Sequence, residues 1–335
     1  MKKEKIDFVI TWVDGNDKNW LNQKNKYNYG KIDSGNNNIR YRDWEQLKYW
    51  FRGVEMYANW VNKIYFVTCG QIPDWLNVDN PKLVLVDHKD FIPLKYLPTF
   101  SSHTIELNLH RINGLSDKFV YFNDDVFIIN KVNEVDFFEN GFPKDDYIEN
   151  VLYSYGTNDF FPFIMMNDCE LINKYYKKRI VIMNNIFKFL NFRYGFINNI
   201  KNLFMLSCDK FSSFSVSHLS SSFLKSTFNE VWAKEYNLLD KTCSHKFRTK
   251  EDVNQYVFKF WQYCNYNFIP RKVSFGKNLK ITNNNSNIEK SILGCKYKVI
   301  CINDSDCIEN FELQKKIIND AFEKKFPNPC SFEKQ

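Results

Sequence analysis

The most chemically pointed feature of this sequence is a pair of adjacent carboxylates at the end of an apolar run. Lys118-Phe119-Val120-Tyr121-Phe122 leads into Asn123-Asp124-Asp125, and a second apolar run begins at Val126. Phe, Val and Tyr fit a packed pleated surface, so the first half is predicted to be a buried strand. Neighbouring carboxylates raise one another's pKa unless a cation or hydrogen-bond donors compensate. Mg²⁺ suits such a site, because it takes hard oxygen ligands and is often held by one or two carboxylates together with substrate phosphates. The plainer alternative is a turn after a strand, which Asn and Asp also favour. The pattern recurs twice: Ile6–Val13 ends in Asp14-Gly15-Asn16-Asp17, and Lys298–Ile302 ends in Asn303-Asp304.

The elements that would hold these acids alternate along the chain. After the strand over 6–13, residues 27–38 read as a polar loop. Trp44, Leu47, Phe51, Val54, Ala58 and Val61 then recur at helical spacing, with Asp43 and Gln46 in capping-box positions. Residues 63–69 and 82–87 read as strands. A helix starts at Ser101 or Ser102 and runs to about Ile112, and Gly114 stops it. The strand into Asn123 follows. This order predicts an α/β fold with a mainly parallel sheet and helices packed on it. In such sheets ligands bind beyond the carboxyl ends of the strands, where Asp14, Gly70, His88, Asp124 and Asp125 all fall. Further on, 131–150 reads as loop or short helices and 278–288 as a polar loop. A helix carries Val257, Phe260, Trp261 and Cys264 on one face, and another runs from Asn310 to Lys325.

At 335 residues the chain can bury a large core. No apolar run reaches 18 residues, so no transmembrane helix is expected. Met1–Asp7 lacks the apolar stretch of a signal peptide, which places the protein in the cytoplasm. The nine cysteines include no CxxC pair, arguing against a disulfide framework and a structural zinc site. A net charge of +7 favours an anionic ligand or surface without indicating nucleic acid, and no nucleic-acid-binding motif is recognisable. Between Leu171 and Ser207 there is no acid. Lys174, Lys177, Lys178, Arg179, Lys188, Arg193 and Lys201 interleave there with aromatics. These are either ordinary helices with solvated lysines or a cationic surface for a polyanionic acceptor or anionic lipid headgroups.

Taken together, these segments resemble the Stealth family of sugar-phosphate transferases. That family includes bacterial capsule polymerases and the catalytic subunit that starts the mannose 6-phosphate tag on lysosomal enzymes. Four regions define it. The first is similar to Ile6-Asp7-Phe8-Val9-Ile10-Thr11-Trp12-Val13-Asp14-Gly15-Asn16-Asp17 with Trp20. The second is similar to Arg42-Asp43, Val54–Tyr57, Val67–Gln71, Leu97-Pro98-Thr99-Phe100, Ile105-Glu106, Leu109–Ile112 and Phe122–Asp125. The third resembles His218 and Phe247-Arg248 to Asp252. It departs from the family in having Leu219-Ser220-Ser221-Ser222 where prolines usually follow the histidine. The fourth resembles Cys301–Asp304 and Phe326–Glu333.

The resemblance implies transfer of a sugar 1-phosphate from a UDP-sugar to a hydroxyl of an oligo- or polysaccharide acceptor. A phosphodiester forms and UMP leaves, with capsule synthesis as the setting. It implies a Rossmann-like nucleotide-sugar-binding core with Mg²⁺ or Mn²⁺. On this reading Asp125 and Asp124 hold the metal, with Asn303 and Asp304 completing the site. His218 is the base, Arg248 grips the diphosphate, and Glu106 orients the site with Arg111 as partner. Asp14, Gly15 and Asp17 meet the nucleotide, and Asp252 belongs to the substrate side or caps a helix. Residues 1–145 and 216–335 form two parts of the catalytic core, separated by a basic helical spacer over 146–215. The spacer's charge also raises a peripheral contact with the inner membrane or the capsule-export machinery. Two competitors stand: a metal-dependent glycosyltransferase that attacks the sugar C1 and releases UDP, and a non-catalytic sugar-binding protein.

Overall fold

The computed structural model describes residues 5–27, 41–153, 160–305 and 308–334. Most of the loop expected over 27–38 lies outside them. Eleven strands are present among these residues: β1 (Ile6–Thr11), β2 (Ile64–Thr68), β3 (Leu83–Asp87), β4 (Lys118–Phe122), β5 (Val126–Ile128), β6 (Phe138–Glu139), β7 (Phe142–Asp145), β8 (Ser221–Leu224), β9 (Ile269–Pro270), β10 (Gly276–Lys280) and β11 (Val299–Asn303). They form an α/β fold with mixed sheets. The central sheet has the order β3-β2-β1-β4-β8. Its first four strands are parallel, and β8 joins β4 antiparallel.

Why β1, β2 and β4 read as unbroken apolar runs is now clear: both of their faces are covered. Val9, Tyr65, Val67, Phe119 and Tyr121 point into one core. Their neighbours Phe8, Ile10, Ile64, Phe66, Val120 and Phe122 point into the other. Helices Phe161–Tyr175, Lys225–Lys234, Tyr236–Ser244 and Tyr256–Cys264 contribute to the first core. The second is closed by helices Leu47–Tyr57 and Phe311–Lys325 and by a smaller sheet, β10-β11-β5. Asp7, fully buried at the amino end of β1, takes hydrogen bonds from Asn62 Nδ2 (2.6 Å), Lys63 N (3.1 Å) and Ser116 N (2.8 Å).

The chain leaves β1 outward through β2 and β3, then crosses back to β4 on the other side of β1. Between β1 and β4 the connections therefore diverge, and it is beyond the carboxyl ends of strands at such a point that open α/β sheets bind ligands. No helix among the described residues is long and apolar enough to cross a membrane.

Several local expectations need correction. The Asp43–Gln46 capping box does not form. The helix starts at Leu47, Gln46 makes no side-chain cap, and Asp43 Oδ1 instead accepts from Glu45 N (2.7 Å). That helix stops at Tyr57, short of Val61. The helix from Ser102 ends at Asn108 with one 3₁₀ turn to Arg111. Part of the expected loop over 278–288 is strand β10, and Ser286–Leu293 is a helix. β10 is an edge strand with exposed Lys277 and Asn278, so it lacks the apolar signature of a covered strand.

Candidate active site

Beyond the end of β4, a hydrogen-bonded chain runs from one sheet strand to His218. Tyr121 OH donates to Asn123 Oδ1 (2.8 Å) and meets Thr11 Oγ1 at 3.0 Å. Asn123 Nδ2 lies 3.4 Å from His218 Nε2. That nitrogen is also 3.6 Å from Asp125 Oδ2. Asp125 is anchored through its carbonyl, which accepts from Ile302 N (2.9 Å). Its Oδ2 takes a hydrogen bond from Cys301 Sγ (3.4 Å), while Oδ1 is buried with no hydrogen-bond partner among the described residues. Asp125, His218 and Cys301 bring three potential ligand atoms within 4.8 Å of one another.

His218 has φ +50°, a conformation uncommon for a residue with a side chain. Its loop is pinned on the far side by β8, whose Ser221 and Ser222 pair with Tyr121 and Val120. Strand pairing thus fixes the chain just after the histidine, where the family usually has prolines.

The electrostatics of the cleft are dominated by acids. Asp124 is exposed on one side. Desolvation by the cleft walls, with Asp125 and Asp43 adding repulsion, pushes its pKa up to about 7. Burial disfavours the charged form of His218, but the Asp125 carboxylate, its hydrogen bond and Glu106 outweigh this and raise the pKa. Burial, then Asp125, drives the Cys301 thiol well above its usual range. Cys301 is therefore a protonated donor to Asp125.

Glu106, on helix Ser102–Asn108, is buried and accepts a long hydrogen bond from Gln255 N (3.5 Å). It lies close enough to raise the pKa of both Tyr121 and His218. Arg248 is held by Ser102 Oγ (2.7 Å) and acts on the same two groups. Asp14, Gly15 and Asp17 lie beyond β1. Asp14 and Gln71 exchange hydrogen bonds through the Asp14 backbone, at 2.9 and 3.1 Å. Asp17 Oδ1 accepts from Trp20 N (2.6 Å), capping helix Lys18–Tyr27. Asp14 and Asp17 line a cleft of about 800 Å³ with Trp12, Gly70 and Gln71.

Three predicted site residues are placed elsewhere. Both oxygens of Asp304 are taken by Arg42, Nε and Nη2 each at 2.9 Å, and Trp44 Nε1 adds a bond at 3.0 Å. Asp304 does not join the cluster of Asp125, His218 and Cys301; Asn303, before it, is the last residue of β11. Arg111 is exposed, stacks on Trp232 at 4.7 Å, and forms no ion pair with Glu106 among the described residues. Asp252 is fully buried between His103 Nδ1 (3.0 Å) and His245 Nδ1 (2.7 Å), and it also accepts from Thr249. Burial opposes its charge, but the two histidines outweigh this and lower its pKa to about 2. Asp252 thus braces the loop that carries Arg248.

Sequence reasoning missed Cys301, Asp43, Tyr121 and His245. Tyr121 carried a signal as a hydroxyl two residues before Asn123 on a buried strand, and Asp43 and Cys301 lay in stretches that match the family's regions; His245 carried none.

The fold and the cleft define an α/β protein with an acid-rich site at the point where its connections diverge. Conserved regions 1, 2 and 4 of the Stealth proteins match residues 4–30, 40–145 and 290–335. The capsular polysaccharide phosphotransferase WcwK of Streptococcus pneumoniae is 46% identical over 334 residues, covering 99% of both chains. The receptor polysaccharide phosphotransferase WefC of Streptococcus gordonii is 39% identical, covering 98% of this chain and 99% of its own. A crystal structure of the galactosyltransferase LgtC covers 95% of both chains at 9% identity and TM-score 0.42, a likeness too distant to argue from. The chain belongs to the Stealth family, among its polysaccharide phosphotransferases.

Proposed function

We propose that this enzyme transfers a sugar 1-phosphate from a UDP-sugar to an acceptor hydroxyl in capsular polysaccharide synthesis. The observation that carries the reading is His218 Nε2 beside Asp125 Oδ2 beyond the end of β4. A base next to a carboxylate able to bind a cation is what attack on a diphosphate needs. The names of the relatives support phosphoryl transfer over glycosyl transfer. We read the central sheet as a Rossmann-like core that binds the nucleotide sugar. Residues 1–145 and 216–335 supply its two parts, and 146–215 is a spacer between them. Work on UDP-sugars places the enzyme on the cytoplasmic side.

A divalent cation fits the acids at the end of β4. Asp125 Oδ1 is buried and has no hydrogen-bond partner among the described residues, and both Asp125 and Asp43 repel the charge of Asp124. Mg²⁺ or Mn²⁺ would be held by the Asp124 and Asp125 carboxylates, since hard cations prefer oxygen and the Cys301 thiol stays protonated. Bound there, it supplies neutralisation of the diphosphate charge.

The acceptor hydroxyl attacks the β-phosphorus. Its O–H proton passes to His218 Nε2 as the new O–P bond forms, and the P–O bond to UMP breaks. Arg248 holds diphosphate oxygens with its guanidinium fork. Asn123 fixes the imidazole, and Glu106 stabilises the imidazolium that results. Asp14, Gly15 and Asp17 receive the nucleotide end in the cleft beyond β1. The test is chromatography of the nucleotide product from a panel of UDP-sugars with Mg²⁺ and a capsule oligosaccharide. Acceptor-dependent UMP is expected, whereas UDP would mean attack at the sugar carbon.

A further inference from the structure

Helix Phe196–Met205 is inside out. Five of its large apolar residues face solvent: Phe196 is 80% exposed, Ile197 70%, Ile200 50%, Leu203 58% and Phe204 72%. At helical spacing they form one stripe about 120° wide. A surface helix normally turns such a stripe toward the core. Here the asparagines point inward instead. Asn202 is buried; its Nδ2 donates to Tyr147 O (3.0 Å) and Phe189 O (2.9 Å), and its Oδ1 accepts from Glu149 N (2.9 Å). Asn199 exchanges hydrogen bonds with the Asn191 backbone at 2.9 and 2.7 Å. The preceding turns add Phe187 and Phe192, 81% and 79% exposed, with Ile180 and Met183 also exposed.

The cations of this segment divide into two sets. Lys178 is spent on buried Glu149 (2.6 Å), Lys188 on the Tyr266 and Phe268 carbonyls, and Lys174 on Glu235. Lys177, Arg179 and Lys201 are exposed, and Arg193 lies over the Phe192 ring at 5.4 Å. No Asp or Glu occurs from Leu171 to Ser207.

We propose that helix Phe196–Met205 and the turns before it seat in the interface of an anionic lipid bilayer. A wide apolar stripe rich in Phe and flanked by Lys and Arg is the composition of an interfacial helix. Exposed cations beside it gain from the negative surface of acidic lipids. A second copy of this chain fits less well, because twofold pairing would set the same cations against one another with no acid in the segment to meet them.

Co-sedimentation of the full chain with phosphatidylcholine vesicles, with or without roughly 30% phosphatidylglycerol, tests this. Binding to the anionic vesicles, weakened by salt, is expected. The double variant Phe196→Ser/Phe204→Ser lowers partitioning about tenfold or more. The triple variant Lys177→Glu/Arg179→Glu/Lys201→Glu removes the preference for anionic vesicles. Both keep the wild-type melting temperature and UMP release with a soluble acceptor, because these side chains face solvent. No sedimentation with either vesicle overturns the proposal, as does binding that survives both variants. A dimer that Phe196→Ser/Phe204→Ser dissociates, without vesicle binding, would overturn it in favour of a protein interface.

Discussion

Cys301 Sγ lies 3.4 Å from Asp125 Oδ2, on a strand whose register sets Cys301 opposite Val126. Residues 176 positions apart in sequence are thereby locked into one arrangement, with the thiol donating to one carboxylate oxygen and the other oxygen given no donor by the described residues. Removing the thiol should loosen the carboxylate more than the chemistry. Cys301→Ala is expected to raise the metal concentration for half-maximal UMP release several-fold while kcat at saturating metal changes little. Cys301→Ser, which keeps a donor, should stay close to wild type. An unchanged metal dependence in Cys301→Ala would mean that the thiol only fills space.

The pair of Asp125 and His218 makes a sharper demand. His218→Gln keeps a polar side chain but removes the proposed base, so kcat should fall by about 10²–10⁴-fold with the UDP-sugar KM nearly unchanged. Asp125→Asn should lose about 10²-fold or more and should not be rescued by extra metal. Steady-state UMP release checks both, with circular dichroism to establish that the fold is intact. Normal turnover by His218→Gln would place the base elsewhere.

Asp304 belongs to a different structure from Asp125, although both follow an apolar strand and an asparagine. Its fork with Arg42 and its bond to Trp44 tie the segment before helix Leu47–Tyr57 to the end of β11. Asp304→Asn should cost about 1–3 kcal/mol of stability by leaving part of the fork unpaired. The metal dependence of the remaining activity should not shift. Urea unfolding together with a metal titration separates these effects, and a weakened metal response would return Asp304 to the metal site.

Acid sensitivity should come from two buried histidines to which the proposed mechanism gives no role. Burial lowers the pKa of His88 to about 4, and burial with Arg111 and Lys225 lowers that of His110 to about 3. In the unfolded chain each takes a proton near pH 6.5. Below that pH the unfolded state binds more protons than the folded one, so stability falls as pH drops from about 6.5 toward 4. The loss reaches up to about 2 kcal/mol for each histidine by pH 5. Urea midpoints between pH 7.5 and 5 should show the slope. His110→Phe, a ring set among Phe228 and Trp232, should make it shallower. An equal slope would mean that His110 does not titrate differently in the two states.

The sheet and half of the site could be read from sequence because their signals are local. Continuous apolar strands mark coverage on both faces, and two acids at the end of such a strand are anomalous wherever they occur. What escaped was set by partners far along the chain. Asn303-Asp304 repeats the pattern of Asn123-Asp124, and only Arg42, 262 residues away, shows that its charge is already used. Helix Tyr256–Cys264 was expected to have one apolar face, yet all nine of its residues are buried. Its polar members find remote partners: Lys259 pairs with Asp145 at 2.9 Å, and Gln262 bonds the Leu224 and Ser222 backbone. The family resemblance gave Arg111 as the partner of Glu106, but the aromatic face of Trp232 holds it instead.

Gly15 is the residue of the proposed nucleotide cleft whose replacement has the clearest steric outcome. A Cβ at this position would lie 1.8 Å from Tyr41 O and 2.8 Å from Tyr41 Cβ. The first of these is backbone and cannot swing aside as a flexible side chain would. Gly15→Ala must therefore push the Asp14–Asp17 turn away from Tyr41. Asp14 would lose its paired bonds with Gln71, and Asp17 its cap on helix Lys18–Tyr27. If this turn receives the nucleotide, the UDP-sugar KM should rise about tenfold or more while kcat, which the proposed mechanism assigns to His218 and Asp125, is largely kept. Tyr41→Gly would not restore it, since the obstructing oxygen belongs to the backbone. A fall in kcat at constant KM would instead connect the turn to the chemistry beyond β4, and the cleft beyond β1 would then bind something other than the donor.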